Sequence, residues 1–168
     1  MTSENLIILA AGKPHQGKLP ALLAQVGGRS LFDWQINALT TDDVFPQVVV
    51  GYAAEEFKKI SGRANFCIND KWETSGSGYS LFSANLSFES VIVSYADILY
   101  RPSILGQIKQ SNSDVTLVYD SDWKQRFVGR TEEDLVSAEK VMVSEGVLLR
   151  ADQNLHVEWA HGEFIGLV

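Results

Sequence analysis

The sequence predicts an α/β protein with a doubly wound, mainly parallel, Rossmann-like sheet and an antiparallel extension. Short apolar segments alternate with segments of helical spacing as far as about residue 120, as in a parallel sheet covered on both faces. The first apolar segment ends in Ala10-Ala11-Gly12, where a polar loop begins. Further along, the residues on either side of Ser144-Glu145-Gly146 alternate in the manner of a hairpin, which predicts antiparallel strands there.

Local patterns predict the individual elements. Ser30 is the predicted N-cap of a helix over 31–39, and Pro102 stands where a helix over 103–110 can begin. The alternating part has predicted strands at 5–10, 48–50, 65–68, 90–95 and 114–119, and further predicted helices at 53–60 and 79–86. The remainder has a charged, irregular segment at 122–134 and predicted strands at 138–143, 146–150, 157–159 and 163–168.

Length and composition indicate a single globular domain over 1–168. With 168 residues and 45% hydrophobic content, the chain can bury a sizeable core. It stops on an apolar strand, so we expect a domain truncated at its C-terminus. No basic segment precedes Leu6 and no apolar run is long enough for a membrane span, so neither a signal peptide nor membrane insertion is expected. The single cysteine, Cys67, excludes an internal disulfide and favours a cytoplasmic protein with an inert, buried thiol.

The charge balance argues against a nucleic-acid partner. Lys and Arg together number 14 against 21 Asp and Glu, which gives a formal net charge of −7. A nucleic-acid binder usually has a basic face, and none is visible in this sequence. A negative protein that binds a phosphorylated ligand needs a few local cations or a metal ion. The candidate cations are Lys13, Lys18, Arg126, Arg130 and Lys140.

The loop after the first strand is the first place to look for a site, because ligands of open α/β sheets bind beyond the carboxyl ends of the strands. Gly12 and Gly17 permit a close approach of the backbone, and Lys13 and Lys18 are placed to meet phosphate oxygens. The loop is not a P-loop, since Leu19 occupies the Ser/Thr position. A phosphate site and an ordinary surface loop with two solvated lysines both fit this composition.

Five segments in order carry a resemblance to a known family. They are 9–12 with 26–31, then 48–53, 94–99, 138–141 and 162–166. The sequence resembles the nucleotidyltransferase superfamily over nearly its whole length, and within it the phosphocholine and phosphonate cytidylyltransferase branch. The resemblance implies the nucleotide-diphospho-sugar transferase fold and transfer of NMP from an NTP, CTP by preference. It also implies release of pyrophosphate and a small phosphorylated or phosphonate acceptor as partners of the reaction.

The same resemblance implies roles for individual residues. Asp97 ligates Mg²⁺, Lys13 and Lys18 hold the triphosphate, and Lys140 meets the acceptor phosphate. The nucleotide site is completed by Ala10, Ala11, Gly12, Ser75, Gly76 and Ser77. The acceptor site is completed by Asp120, Trp123, Arg130 and Glu163, and Glu163 is also a weak stand-in for a second metal ligand.

Simpler explanations remain for several of these residues. Asp97 follows a buried strand, which suits Mg²⁺ bound to phosphates, but it is also placed to cap a helix or form a turn before Pro102. The segment 69–80 suits a planar base and equally fits a flexible loop. Lys140 fits an exposed strand lysine. A cluster of charged residues and one aromatic residue follows the fifth strand: Asp120, Asp122, Trp123, Arg126 and Arg130. The aromatic ring and the carboxylates could together bind an ammonium group. A solvated loop fits the same residues.

The first loop departs from the family pattern of GxGxR followed by Pro-Lys. Pro14 stands where the second Gly belongs, no Arg follows, and Pro20-Ala21 occupies the Pro-Lys position. Lys18 is predicted to replace the lysine, and Lys13 or His15 the arginine. Two alternatives are a module that binds a nucleotide or metabolite without turnover and a molybdopterin-type nucleotidyltransferase. His156 and His161 have no ligand-like spacing and are treated as ordinary, and a homodimer is left open.

Overall fold

The structure is a computed structural model that describes residues 4–15, 17–40 and 45–168. The chain divides into two compact units, Met1–Asp114 and Val115–Val168. The first unit contains a parallel sheet and the second an antiparallel one. The predicted α/β class, with a mainly parallel sheet and an antiparallel part, is therefore confirmed.

The parallel sheet of the first unit is built around its first strand. Leu6, Ile7 and Ile8 are all buried, as expected for a strand covered on both faces. The strands are β1 (Glu4–Ala10), β2 (Gln25–Val26), β3 (Arg29–Ser30), β4 (Gln47–Val50), β5 (Asn65–Ile68) and β6 (Ser90–Tyr95). The order in the sheet is β5-β4-β1-β6, all parallel, whereas β2 and β3 form a separate small hairpin.

Helices cover both faces of this sheet. They are α1 (Leu31–Leu39), α2 (Ser77–Phe82) and α3 (Ser103–Lys109), with 3₁₀ helices at Ala21–Leu23 and Ala54–Ile60. Leu81 of α2 packs against Ile7 and Val49 on one face. Gln35 of α1 hydrogen-bonds to Ser94, which lies beside Ile8 in β6 and faces the opposite side of the sheet. The doubly wound arrangement follows from these contacts.

The strand order places a topological switch point at β1. From β1 the chain runs outward to β4 and β5 on one side, and it then returns to β6 on the other side. The carboxyl ends of β1 and β6 therefore lie next to each other, with their connections leading to opposite sides. Such a crevice is where open α/β sheets bind ligands.

The start of α1 matches the sequence prediction. The Ser30 side chain accepts a hydrogen bond from the Asp33 backbone N–H at 3.1 Å and donates one to the Asp33 carboxylate at 2.6 Å. Arg63 donates to the same carboxylate at 2.7 Å. The bond from Ser30, and then Arg63, hold the pKa of Asp33 below its usual value. This cap fixes the start of α1, the helix that carries Gln35.

Some elements of the first unit differ from their predictions. The predicted helix at 79–86 is α2, which begins at Ser77, and the predicted helix at 53–60 is a 3₁₀ helix preceded by Ala53 in the left-handed region. The β2–β3 hairpin was not predicted; Gly27 and Gly28 make its turn with φ of 59° and 79°. Cys67 is half-buried and not fully buried, with its sulfur 3.6 Å from Gln47 Oε1.

The second unit is an antiparallel sheet with two short helices. Its elements are β7 (Val118–Asp120), α4 (Trp123–Arg126), α5 (Glu132–Ser137), β8 (Lys140–Ser144), β9 (Val147–Asp152) and β10 (Gly162–Leu167). The strand order is β7-β10-β8-β9. The predicted hairpin is confirmed, and Glu145 and Gly146 both have positive φ, as its tight turn requires.

Three predictions for this unit are wrong. The predicted strand at 114–119 is the shorter β7, and it runs antiparallel to β10. The segment 122–134 is not irregular, because it contains α4 and the start of α5, which Thr131 and Asp134 begin with a reciprocal capping box. Residues 157–159 form a turn instead of a strand. Within the described part of the chain, no helix is long and apolar enough to cross a membrane.

Candidate functional site

A cleft of about 470 Å³ lies at the switch point of the first unit. Its walls come from the loop after β1, the segment that leads into α2, and the end of β6. The lining includes almost every residue predicted for the nucleotide site, namely Ala10, Ala11, Gly12, Lys13, Ser75, Gly76, Ser77 and Asp97. Residues distant in sequence thus meet at the place where the strand order reverses.

The loop after β1 is anchored beneath the cleft. Ala10 and Ala11 are buried, and the Ala11 carbonyl accepts a hydrogen bond from the Tyr52 N–H at 2.9 Å. Gly51 lies so close that a Cβ at that position would be 2.9 Å from the Ala11 oxygen and 2.5 Å from Trp72 Cβ. The exposed part of the loop therefore begins at Gly12 from a fixed base.

The cationic side of the cleft only partly follows the prediction. Lys13 and His15 are exposed and line the cleft. Lys18 is also exposed, but it does not contribute to the lining. In this structure the candidates for phosphate contact are thus Lys13 and His15. Lys18, which was predicted to hold the triphosphate, lies outside the lining of the cleft.

The segment from Asn69 to Gly76 forms a second wall held by one buried amide. Asn69 is 1% exposed, and its Nδ2 donates to Ser75 Oγ at 3.0 Å and to Ser80 Oγ at 2.9 Å. Its Oδ1 accepts from the Lys71 N–H at 2.9 Å. Both serines line the cleft, so Asn69 holds the hydroxyl groups of two lining residues. This contact favours an ordered wall over a featureless loop.

Aromatic side chains complete that wall. Trp72 lines the cleft and packs edge-to-face on Tyr52, with ring centroids 5.5 Å apart. Tyr95 OH donates to Ser77 Oγ at 3.3 Å, which joins the end of β6 to the start of α2. Trp72 thus adds an aromatic residue to the lining of the cleft.

Asp97 is exposed at the mouth of the cleft, in the turn that follows β6. It does not cap α3, because the N-cap of that helix is Pro102 without a side-chain bond. The carbonyls of Tyr95 and Ile98, on either side of this turn, are both bonded to Gln35 of α1. The carboxylate is therefore carried by a turn that is held from below.

The donors at this cleft fit a metal ion that arrives with phosphates. Among the described residues, no group of three or more His, Cys, Asp and Glu side chains is arranged to hold a metal. Mg²⁺ usually takes one or two carboxylates and completes its octahedron with phosphate oxygens and water. The single exposed carboxylate of Asp97 matches that requirement.

In the second unit, four charged residues form a row across the sheet. Asp120 lies opposite Glu163, Glu163 opposite Lys140, and Lys140 opposite Asp152. Residues directly opposite each other in an antiparallel sheet face the same side. Three of the predicted acceptor-site residues, Asp120, Glu163 and Lys140, thus share one face of this sheet.

Lys140 has an environment that its predictions did not include. Its side chain is 2% exposed, and Nζ donates to the carbonyls of Leu135, Val136 and Ala138 at 3.2, 3.0 and 3.0 Å. These bonds use all three N–H groups at the C-terminal end of α5. The expectation of an exposed strand lysine is corrected, and the ammonium has no donor left for an acceptor phosphate. Burial lowers the pKa of Lys140.

Trp123 is likewise a core residue. Its side chain is 1% exposed and packs with Ala138, Leu155 and Ala160. The indole also contacts Phe127 edge-to-face at 5.7 Å. This corrects the prediction that Trp123 faces an ammonium ligand, because the helical turn of α4 directs the ring into the interior.

The remaining charged residues of the predicted cluster stay at the surface. Arg126 forms an ion pair with Asp120, and Arg130 lies over the Phe127 ring at 4.6 Å from its centroid. His161 accepts a hydrogen bond from the Val143 N–H at 3.1 Å, and the His156 ring packs on Trp159. Both histidines make local contacts, in agreement with their treatment as ordinary residues.

Glu163 is expected to make stability depend on pH. Burial raises its pKa above the usual value of 4.5, and Asp120 adds to this effect against the opposing charge of Arg130. The folded protein therefore holds this proton more tightly than the unfolded chain. The resulting stabilisation is full below pH 4.5 and is lost as the pH rises through the raised pKa. We expect Glu163→Gln to be more stable than the wild type at pH 7 and similar to it at low pH, as measured by urea unfolding.

Asp134→Asn is expected to change the free energy of unfolding at pH 7 in the direction opposite to Glu163→Gln. The Thr131 backbone N–H, its largest influence, lowers the pKa of Asp134 below 3.8, so this carboxylate stabilises the protein above that pH. Its replacement should cost stability at pH 7 and converge with the wild type in acid. A Glu163→Gln effect that is equal at both pH values would contradict the burial of the Glu163 charge.

Comparison with known proteins identifies the class of this fold. No protein-family model matches the chain. It is similar over 98% of its length to a Bacillus anthracis protein assigned as a glucose-1-phosphate thymidylyltransferase, solved with sucrose, with a TM-score of 0.71 and 13% identity over 70% of that chain. The fold is that of the nucleotidyltransferases.

Two further proteins are similar to this chain, and both are cytidylyltransferases. The chain is 23% identical to the CTP:phosphoglutamine cytidylyltransferase of Campylobacter jejuni over 180 aligned positions, which cover 97% of this chain and 71% of the relative. It is also similar to the CTP:phosphocholine cytidylyltransferase of Streptococcus pneumoniae, with a TM-score of 0.63 and 21% identity over 98% of this chain and 69% of that one. These similarities confirm the resemblance to the nucleotidyltransferase superfamily and to its cytidylyltransferase branch.

Proposed function

We propose that this protein transfers CMP from CTP to a small phosphorylated or phosphonate acceptor and releases pyrophosphate. The observation that carries the proposal is the cleft at the switch point, which gathers Gly12, Lys13, Ser75 and Asp97 from separate loops. Two cytidylyltransferases among the similar proteins support CTP as the nucleotide. Both names also describe phosphorylated acceptors.

The chemistry proposed for the cleft is an in-line displacement at phosphorus. An oxygen of the acceptor attacks the α-phosphorus of CTP, and the bond to pyrophosphate breaks as the new P–O bond forms. Lys13, and His15 when protonated, offset the charge that develops on the phosphate oxygens. The fixed walls would hold the nucleotide in position, and such positioning is a main contribution that a protein makes to this kind of step.

Asp97 is the residue proposed to hold Mg²⁺. When bound, the ion would neutralise phosphate charge and orient the leaving group. The exposed carboxylate in the lining of the cleft suits that role. Asp97 acts here as a ligand and not as a base.

The nucleobase is proposed to lie against the second wall. The hydroxyls of Ser75 and Ser77 can bond polar edges of cytosine, and the Trp72 ring offers an apolar surface to its plane. Gly76 lies between the two serines, where a side chain would project toward the base. This proposal uses the Asn69 anchor, since it orients Ser75 before the ligand binds.

For the acceptor, the second unit offers the polar groups of Asp120, Arg130 and Glu163. Two carboxylates and one guanidinium suit an acceptor that carries an amine as well as a phosphate or carboxylate. Lys140 and Trp123 are not included, because both are buried. The three remaining residues are proposed to select the acceptor and not to take part in phosphoryl transfer.

A second candidate function is binding of a nucleotide without turnover. It is favoured by the first loop, in which no Arg follows Gly12 and Lys18 lies outside the lining of the cleft. With fewer cations at the triphosphate, the charge that develops in the transition state would be poorly offset, although the nucleotide could still bind. The same chain would then act as a sensor or carrier of a nucleotide.

Pyrophosphate release separates these functions. The purified protein is assayed with each of the four NTPs and Mg²⁺, in combination with phosphocholine, aminoethylphosphonate, phosphorylated glutamine and sugar 1-phosphates. We expect release with CTP and one of the amine-bearing acceptors. Calorimetric binding of CTP without turnover would support the second candidate. Neither turnover nor Mg²⁺-dependent binding of any NTP would refute both.

A further inference from the structure

We propose that Gln35 is a positioning residue for Asp97, holding the turn that presents this carboxylate to the cleft. The inference rests on the proposed function, because it assigns Gln35 a role in a reaction that depends on Asp97. Gln35 lies on α1 and does not line the cleft. Its effect would be transmitted through the backbone between Tyr95 and Ile98.

The contact that carries the inference is a bridge by one side-chain amide. Gln35 is 0% exposed, and its Nε2 donates to the Tyr95 carbonyl at 2.8 Å and to the Ile98 carbonyl at 2.9 Å. These two residues bracket Ala96 and Asp97. An amide nitrogen has two hydrogens in a fixed plane, so the two bonds set the separation of the two carbonyls. The turn is thereby held at both of its ends.

The oxygen of the same amide is also engaged. Gln35 Oε1 accepts from Ser94 Oγ at 3.0 Å, and Ser94 is itself buried. Ser94 Oγ lies 3.0 Å from Tyr100 OH, and burial raises the pKa of that phenol. Tyr100 therefore stays protonated and able to donate. Residues from both sides of the turn, 94 and 100, thus fix the orientation of the amide.

An apolar replacement would leave this arrangement without its donors. The part-buried Ile98 carbonyl would lose the amide that it contacts, and the Tyr95 carbonyl would keep only its hydrogen bond from Ser94 Oγ. A polar group left unpaired away from water is costly enough for the backbone to move toward water. A shift of about 1 Å in a reacting group can lower a rate by about 100-fold. The expected consequence of losing Gln35 is therefore a displaced Asp97 in a protein that remains folded.

The chain supplies a matched control in Gln47. It is also buried, and its Nε2 donates to the Asn85 carbonyl at 2.8 Å, while its Oε1 accepts from the Asn85 N–H at 2.7 Å. Gln47 is the first residue of β4, at the end of the parallel sheet opposite to the cleft. Loss of either amide should have a similar structural cost, but only Gln35 contacts the turn that carries Asp97.

The kinetic test compares Gln35→Leu with Gln47→Leu in the full chain. We expect Gln35→Leu to lower kcat by about 10-fold and to raise the Mg²⁺ concentration for half-maximal rate by about 10-fold, with the KM for CTP within about 3-fold of wild type. Gln47→Leu should change none of these by more than about 2-fold. Combined with Asp97→Ala, Gln35→Leu should cause little further loss, because both act through the same carboxylate.

A second measurement does not need turnover. Hydrogen exchange of the backbone amides from Tyr95 to Tyr100 should be faster in Gln35→Leu and unchanged in Gln47→Leu. If Gln35→Leu does not fold, Ser94→Ala replaces it as the milder variant, because it removes one hydroxyl, which contacts Gln35 Oε1 at 3.0 Å and the Tyr95 carbonyl at 2.9 Å. The wild type could prove inactive while Gln35→Leu still shows faster exchange than the wild type. That outcome would support the role of Gln35 in holding the turn and would reject the proposed function.

The inference is overturned by either of two results in the single variants, or by one in a double variant. One is equal loss of activity in the two glutamine variants, which would assign Gln35 a structural role only. The other is a Gln35→Leu protein with unchanged exchange in the turn and an unchanged requirement for Mg²⁺. A multiplicative loss in the double variant with Asp97→Ala would also show that Gln35 does not act through Asp97.

Discussion

Replacing Asp97 with alanine is expected to lower the rate of nucleotidyl transfer by at least about 100-fold, equivalent to about 2.7 kcal/mol of transition-state stabilisation. Asp97 lines the cleft, whereas the acidic residues Asp70 and Glu73 do not. Its proposed role is to hold Mg²⁺ against the triphosphate. Without this carboxylate, phosphate charge would be offset by Lys13 and His15 alone.

The measurement is initial rate of pyrophosphate release at several Mg²⁺ concentrations. Asp97→Asn keeps the size of the side chain but removes its charge, and it should retain little of the lost activity. Asp70→Ala is the matched control, because Asp70 is exposed and does not contribute to the lining of the cleft. Wild-type rates in Asp97→Ala would remove this residue from the site.

Replacing Lys140 with methionine is expected to destabilise the protein by about 2–3 kcal/mol, the cost of leaving buried acceptors of a charged donor unpaired. The three carbonyls that Nζ contacts belong to the end of α5 and the residue that follows it. Methionine keeps much of the apolar stem but donates no hydrogen bond. Urea unfolding at pH 7 measures the change.

Lys124→Met provides the comparison for this effect. Lys124 lies on α4 of the same unit and is exposed, so its replacement should change stability by no more than about 0.5 kcal/mol. A Lys140→Met protein as stable as the wild type would mean that desolvation of the ammonium cancels its three hydrogen bonds. Desolvation of this kind is known to offset buried charges elsewhere.

The parallel part of the fold was predictable because its strands are short, apolar and separated by segments of helical spacing. The predicted strand over 65–68 and helix over 31–39 have the observed bounds. In β1 and β4 the apolar pattern reflects burial on both faces, whereas β5 at the edge of the sheet is largely exposed. The second unit was predicted less well, because the short helices α4 and α5 carry charged residues and too few turns to establish a period.

The residues that line the cleft were predictable from the resemblance in sequence, since most of them lie in segments that follow predicted strands. The burial of Lys140 and Trp123 was not, because it cannot be inferred from residue type. Lysine is rarely buried, and only the carbonyls at the end of α5 make its burial favourable here. Tryptophan in a charged segment suggests exposure, whereas α4 turns its ring into a core.

The sequence does carry a signal for the supporting residue Gln35. Gln35 stands four residues after Leu31 and three before Ala38, at a position where the apolar pattern of α1 predicts a core residue. A polar residue at such a position must find hydrogen-bond partners, and these are often backbone groups at a strand end. The same argument applies to Asn69, which directly follows the strand β5.

The position of Gly51 limits how this cleft can change. A single hydrogen separates its backbone from Trp72 on one side and from the Ala11 carbonyl on the other. Any larger substituent would have to displace the indole or break the link between Tyr52 and the first loop. The spacing between the first loop and the wall that holds Trp72 is thus set by the main chain. Substitutions of the serines would therefore alter the lining of the cleft without narrowing it at its base.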